Sequence, residues 1–199
     1  KTDVLPPQEE IRSLLSNLGH QNIVLDNAAR PVFFKNPLLN VAFGAIGKGY
    51  ALDRAAGVLK EKGAQKARLD FGGHLYYFDN QADAGHGQIG LKNPLYPEEI
   101  IITLPFKNKN ISTSANYERN FKIRNKIYSH LISPITGYPA ESNILSVSVI
   151  SSSALEADAL STAGFILGLE EGMRLVKGCA GTEAIFITDS YGKAKVHVC

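Results

Sequence analysis

Asp158 and Thr162 stand four residues apart in the run ALEADALSTAGFILG, otherwise mostly Ala, Leu, Gly, Phe and Ile. A helix turns once in about 3.6 residues, so the two side chains share a face. A carboxylate buried there is costly unless a positive or hydrogen-bonding group meets it. Two chemistries fit. Asp158 can be a buried hydrogen-bond acceptor, with Thr162 bonding back to its own helix. Alternatively, carboxylate and hydroxyl form half of a site for a hard cation such as Mg²⁺. That ion takes oxygen ligands, commonly one or two carboxylates plus substrate phosphates.

Other stretches carry residues of the same kind. GAIGKGYALD, residues 44 to 53, combines Gly44, Gly47 and Gly49 with Lys48. Glycines admit close backbone approach, and a helix start offers free N–H groups to an anion. The spacing is neither GxxxxGK[ST] nor GxGxxG, so neither nucleotide fingerprint applies, and a plain tight turn competes with a phosphate site. Asp53 falls one turn into the following helix, where an ion pair or a solvated face is the simple account. Gly72-Gly73 interrupts a strand, as a bulge or as a place where a flat ligand approaches. TSANY, residues 113 to 117, and SHLISPITGYP, residues 129 to 139, are polar turns attached to strands. His130 alternates with Leu131, and a lone His more often faces solvent or satisfies a core hydrogen bond than acts in catalysis, while Pro134 and Gly137 mark a turn.

These residues need elements to hold them. QEEIRSLLSNL spaces Ile11, Leu14, Leu15 and Leu18 as a helix stopped by Gly19. NIVLD and PVFF read as short strands around DNAAR. A helix starting near Lys48 and ending at Gly63 presents Ala51, Ala55, Val58 and Leu59 as its apolar face. KARLDF, LYYF, GQIGLK, EEIIITLPF, NISTS and Tyr128 to Ile132 read as strands. ILSVSVIS alternates Ile144, Ser146, Ser148 and Ile150 against Leu145, Val147 and Val149. The Asp158 helix follows, then a shorter helix around Glu170 to Lys177 and the strands EAIFITD and KAKVHV. Many strands with two strong helices, and no repeat or linker, predict one α+β domain over residues 1–199 with a mostly antiparallel sheet.

Composition narrows the function classes. At 199 residues, with 44% hydrophobic and 20% charged, the chain is globular rather than disordered. A net charge of +2 is too small and too scattered to argue for nucleic acid. No apolar stretch reaches membrane-spanning length. The sequence opens on KTDVLPPQEE without Met or a signal peptide, as a processed product or fragment would. Cys179 and Cys199 lack zinc spacing and form either one bridge or two inert thiols.

Taken together and in order, GAIGKGYALD, LDFGGHLYYF, STSANYE, YSHLISPITGYP and EADALSTAGFILG resemble the bacterial ApbE-type flavin transferases, formerly called thiamine-biosynthesis lipoproteins. The likeness runs from about Leu5 to Gly192. It implies an ApbE-like, T-fold-related domain that binds FAD with Mg²⁺. Such enzymes pass FMN to a Thr or Ser hydroxyl of a target flavoprotein subunit and release AMP. Some relatives instead hydrolyse FAD to FMN and AMP. By the same resemblance, Asp158, Thr162 and the backbone oxygen of Gly47 match metal ligands. Gly44, Gly47, Lys48, Gly49, Tyr50, Gly72, Gly73, Thr113 and Ser114 match the FAD-binding walls. His130 matches a catalytic histidine, and His130 or Asp53 is the expected base. An extracytoplasmic location, periplasm or cell envelope, follows by family analogy alone.

The chain departs from the pattern in places. Full-length relatives carry a further segment before residue 1 that contributes to the sheet and the pocket. Ala42, His74 and Ser133 stand where relatives commonly have Asp, Asp or Asn, and Asp. The alternative functions are therefore an FAD carrier without transfer, or an FAD diphosphatase.

Overall fold

The computed structural model describes residues 6–26, 28, 31–81, 85–116, 120–123, 126–140 and 142–199. Contacts group the chain into two compact units, Lys1–Ala42 with Asn120–Ala140, and Phe43–Arg119 with Glu141–Cys199. No composition shift marks the junctions, which is why the sequence alone presents one domain.

The first unit holds helix α1 (Gln8–Leu15), the hairpin β1 (Ile23–Leu25) with β2 (Val32–Phe34), and the hairpin β8 (Asn120–Ile123) with β9 (Lys126–Ser129). Helix α1 stops at Leu15 rather than Leu18, and of its expected apolar face only Ile11 is buried. The strand expected from Tyr128 to Ile132 ends at Ser129 instead. His130 lies in the bend beyond it, and Ile132 bridges to Pro139 across the Pro134–Gly137 turn.

The second unit is built on a six-stranded sheet in the order β12-β11-β10-β7-β4-β3. Its strands are β3 (Lys66–Asp70), β4 (Leu75–Asp79), β7 (Lys109–Ala115), β10 (Ile144–Ser151), β11 (Glu183–Ser190) and β12 (Lys193–Val198). Every pairing is antiparallel. The hairpin of β5 (Gly87–Lys92) and β6 (Ile100–Phe106) covers one face, where Ile89, Leu91 and Phe106 join Ile111, Ile150, Ile185 and Ile187 in one core. Helices α2 (Gly47–Glu61), α3 (Ala154–Leu167) and α4 (Leu169–Lys177) cover the other. β10 is therefore central and covered on both sides. Ser146 and Ser148, the polar half of its alternation, are 3% and 2% exposed. The Ser148 hydroxyl meets its burial by pairing with Thr113 Oγ1 at 2.8 Å.

Two readings of local sequence are corrected. The buried stripe of α2 is Gly49, Leu52 and Ala56, and Val58 is 49% exposed. Gly72-Gly73 is neither bulge nor break but the reversal of the β3–β4 hairpin. Both glycines have positive φ, 64° and 85°, as a two-residue hairpin turn with primed geometry requires. Cys179 and Cys199 are free thiols. No described helix is long and apolar enough to cross a membrane.

Candidate functional site

Helix α2 meets α3 at Gly49. A Cβ there would overlap the Ala154 carbonyl oxygen and stand 2.8 Å from Asp158 Cβ, so only glycine allows this approach. The approach brings the Gly49 amide, in the first turn of α2, onto the Asp158 carboxylate. Asp158 is 2% exposed, and its Oδ2 accepts the Gly49 N–H at 2.9 Å. Burial pushes its pKa up, and the Gly49 amide, the Lys48 charge and the Lys48 amide pull it back. A helix N-terminus and a nearby ammonium thus meet the buried acid, where sequence left the partner open.

A third element closes on the same point. The Gly72-Gly73 turn is held by the Gly73 N–H donating to Asp70 Oδ1 at 2.9 Å and the Phe71 N–H donating to the His74 carbonyl at 2.9 Å. The turn sets His74, 2% exposed, with Nδ1 3.5 Å from Asp158 Oδ1. Burial first, and the Lys48 charge second, push the His74 pKa down to about 4. The ring is thus neutral at pH 7 and forms no charged pair with Asp158. Its Nδ1 has no hydrogen-bond partner. In the sequence, His74 stands out only as an unusual residue after a glycine pair. A polar residue fixed at the end of a hairpin turn was the signal available.

One turn along α3, Thr162 Oγ1 lies 3.1 Å from Ser114 Oγ on β7. Ser114 Oγ also lies 3.0 Å from Ser161 Oγ, and the Ser161 hydroxyl donates to the Asp158 carbonyl at 3.0 Å. Ser114 is thereby joined to the Asp158 helix. Thr113 is not: adjacent strand residues point to opposite faces. Thr113 lines a cavity of about 290 Å³ on the β5 side of the sheet with Gly73, Ser146 and Ser148. Ser161 was missed because a serine inside an apolar helix has no distinguishing spacing.

The remaining expected residues have other surroundings. Gly47 opens α2, its N–H donating to the Phe43 carbonyl at 2.7 Å. Gly44 and Tyr50 are exposed, Tyr50 by 58%. Asp53, expected as a base, is occupied with the start of α3. Its Oδ1 accepts the Ala154 N–H at 2.8 Å, and its Oδ2 accepts the Leu155 N–H and the Ser153 hydroxyl, each at 3.0 Å. That is a helix cap supplied from another helix, and it fixes the element carrying Asp158. His130 is exposed and belongs to the other unit.

Among the described residues, no three His, Cys, Asp or Glu side chains gather as a metal cluster. A cation here would rest on Asp158, hydroxyl and backbone oxygens, and substrate oxygens, a donor set that suits Mg²⁺. The buried Asp158 carboxylate fits that demand.

The sequence matches the ApbE family over residues 1–186. It is 32% identical over 185 residues to a FAD:protein FMN transferase of Klebsiella pneumoniae (strain 342), covering 92% of this chain and 57% of that protein. The crystal structure of an ApbE protein from Thermotoga maritima superposes with a TM-score of 0.85 at 28% identity, over 98% of this chain and 62% of that one. The apo flavinyl transferase ApbE of Pseudomonas stutzeri gives 0.84 at 27% identity, over 98% and 60%. The chain thus spans somewhat more than half the length of these relatives.

Proposed function

The chain belongs to the ApbE family, and from that premise we propose that it transfers FMN from FAD to a Thr or Ser hydroxyl of a target flavoprotein subunit, releasing AMP, with Mg²⁺ bound. The observation that carries this reading is Asp158, a carboxylate 2% exposed and aimed at the first turn of α2. A full buried charge is costly to desolvate, and a bound cation would offset that cost.

Asp158, Thr162 and the backbone oxygen of Gly47 would hold the cation. Bound there, Mg²⁺ supplies charge neutralisation to the diphosphate and orients its leaving group. Lys48 attracts the same diphosphate as a point charge, and the positive end of the α2 dipole adds to it. The Gly44–Tyr50 stretch and the Gly72-Gly73 turn form walls against FAD, and Ser114 holds the Thr162 hydroxyl in place. The resemblance to the family, rather than geometry, assigns His130 the role of general base toward the incoming hydroxyl. The target lies outside the cytoplasm, in the periplasm or cell envelope.

Incubation with FAD, Mg²⁺ and a peptide bearing an acceptor Thr tests the proposal. Peptide-bound FMN and stoichiometric AMP are expected. Free FMN with AMP would make the chain a diphosphatase, and intact bound FAD would make it a carrier.

A further inference from the structure

We propose that His74 ligates, through Nδ1, the cation held by Asp158, and that the site therefore favours Mn²⁺ over Mg²⁺. The inference rests on the cation reading above. Its starting point is an orphan: Nδ1 of His74 is buried, in a residue 2% exposed, and has no hydrogen-bond partner. Buried ring nitrogens are normally paired. The nearest acid oxygen, Asp158 Oδ1, lies at 3.5 Å, beyond the roughly 2.7–3.2 Å of an N–H···O hydrogen bond. The separation does suit two atoms sharing one ion. Ligands about 2.1 Å from a metal and roughly 90–110° apart stand about 3.0–3.5 Å from each other.

The placement is built rather than incidental. The His74 carbonyl accepts the Phe71 N–H at 2.9 Å across the glycine turn, and the next residue, Leu75, pairs with Asp70 and Ile111 in the sheet. Asp158 is held from the other side by the Gly49 N–H. Mg²⁺ seeks oxygen and binds nitrogen reluctantly, whereas first-row transition ions accept imidazole readily. Replacing one oxygen of a Mg²⁺-type shell by an imidazole nitrogen shifts the preference toward Mn²⁺. Lys48 acts on both groups and opposes a bare cation, so binding requires diphosphate oxygens to offset it.

The test uses the whole chain, Mn²⁺ and inorganic pyrophosphate, which contributes no nitrogen. Pulsed electron paramagnetic resonance of the bound Mn²⁺ should show ¹⁴N coupling in the wild type. Incorporating ¹⁵N-histidine should convert that signal without any substitution. His74→Asn should remove it and lower Mn²⁺ affinity relative to Mg²⁺ by about tenfold, the lower end of what a supporting group in a metal site contributes. Mn²⁺ binding that Asp158→Asn abolishes, but that shows no histidine nitrogen coupling, overturns the inference and leaves the cation reading standing. Absent binding, or binding indifferent to Asp158→Asn, overturns both.

Discussion

Gly49→Ala places a methyl group where α2 and α3 already touch. The new Cβ would overlap the Ala154 carbonyl oxygen and approach Asp158 Cβ to 2.8 Å. Both neighbours belong to, or adjoin, the backbone of a buried helix and cannot swing aside, so the helices must part. Overpacking of this kind costs about 1–3 kcal/mol. Parting also stretches the 2.9 Å bond from the Gly49 N–H to Asp158 Oδ2, and an unsatisfied buried carboxylate costs about 1–3 kcal/mol more. Alanine returns about 1 kcal/mol of helix propensity. The net expectation is a loss of roughly 3 kcal/mol, read as a lower urea midpoint. Gly57→Ala is the internal control: on the same helix, its Cβ would meet nothing within 4 Å, so it should stabilise by up to about 1 kcal/mol. Equal stabilisation by both substitutions would show that α2 and α3 do not meet as described, and the site built on their crossing would go with it.

Three further outcomes follow. Asp53→Ala should cost about 2 kcal/mol, because three donors at the start of α3 lose their acceptor, while Asp53→Asn should keep most turnover; a stable Asp53→Asn protein slowed a hundredfold would return the base role to Asp53. His74, with its pKa depressed to about 4, stays neutral in the folded state while the unfolded chain takes up a proton near pH 6.5. In EDTA, stability should therefore fall as pH drops from about 6.5 to 4, by roughly 3 kcal/mol more than in His74→Asn, and parallel pH–melting curves for the two proteins would contradict the assignment. Replacing His130 by Ala should slow transfer by about 10²–10⁴-fold with little loss of FAD binding, and unchanged turnover would leave His130 no catalytic part.

Much of the architecture was legible because local signals agreed. α3 has an N-cap in Ser153, whose side chain accepts the Glu156 N–H, and a stop at Gly168. The helix from Gly47 and the strands from Lys109 and Glu183 start within a residue or two of where their patterns place them. What failed needed partners distant in sequence. Asp53 looked free to act as a base because the amides it holds lie about a hundred residues away. The burial of Ser146 and Ser148 was not legible in their alternation, because nothing local tells a strand that a second hairpin covers it. Thr113 and Ser114 were grouped by motif, and strand alternation divides them. The Gly72-Gly73 turn was seen as an interruption, although two adjacent glycines with positive φ reverse a chain. That reversal brings His74 to Asp158. The part of STSANYE beyond Asn116 lies outside the described residues.

The central claim is that Asp158 is kept buried and ionisable in order to hold a cation. Asp158→Asn tests it most directly. Asn keeps the shape and an acceptor for the Gly49 N–H but not the charge, and burial already works against that charge. AMP release should be measured against Mg²⁺ concentration, with thermal melting in EDTA alongside. The account predicts a protein that melts at or above the wild-type temperature and shows no Mg²⁺-dependent release. A destabilised Asp158→Asn protein with full activity in saturating Mg²⁺ would contradict it.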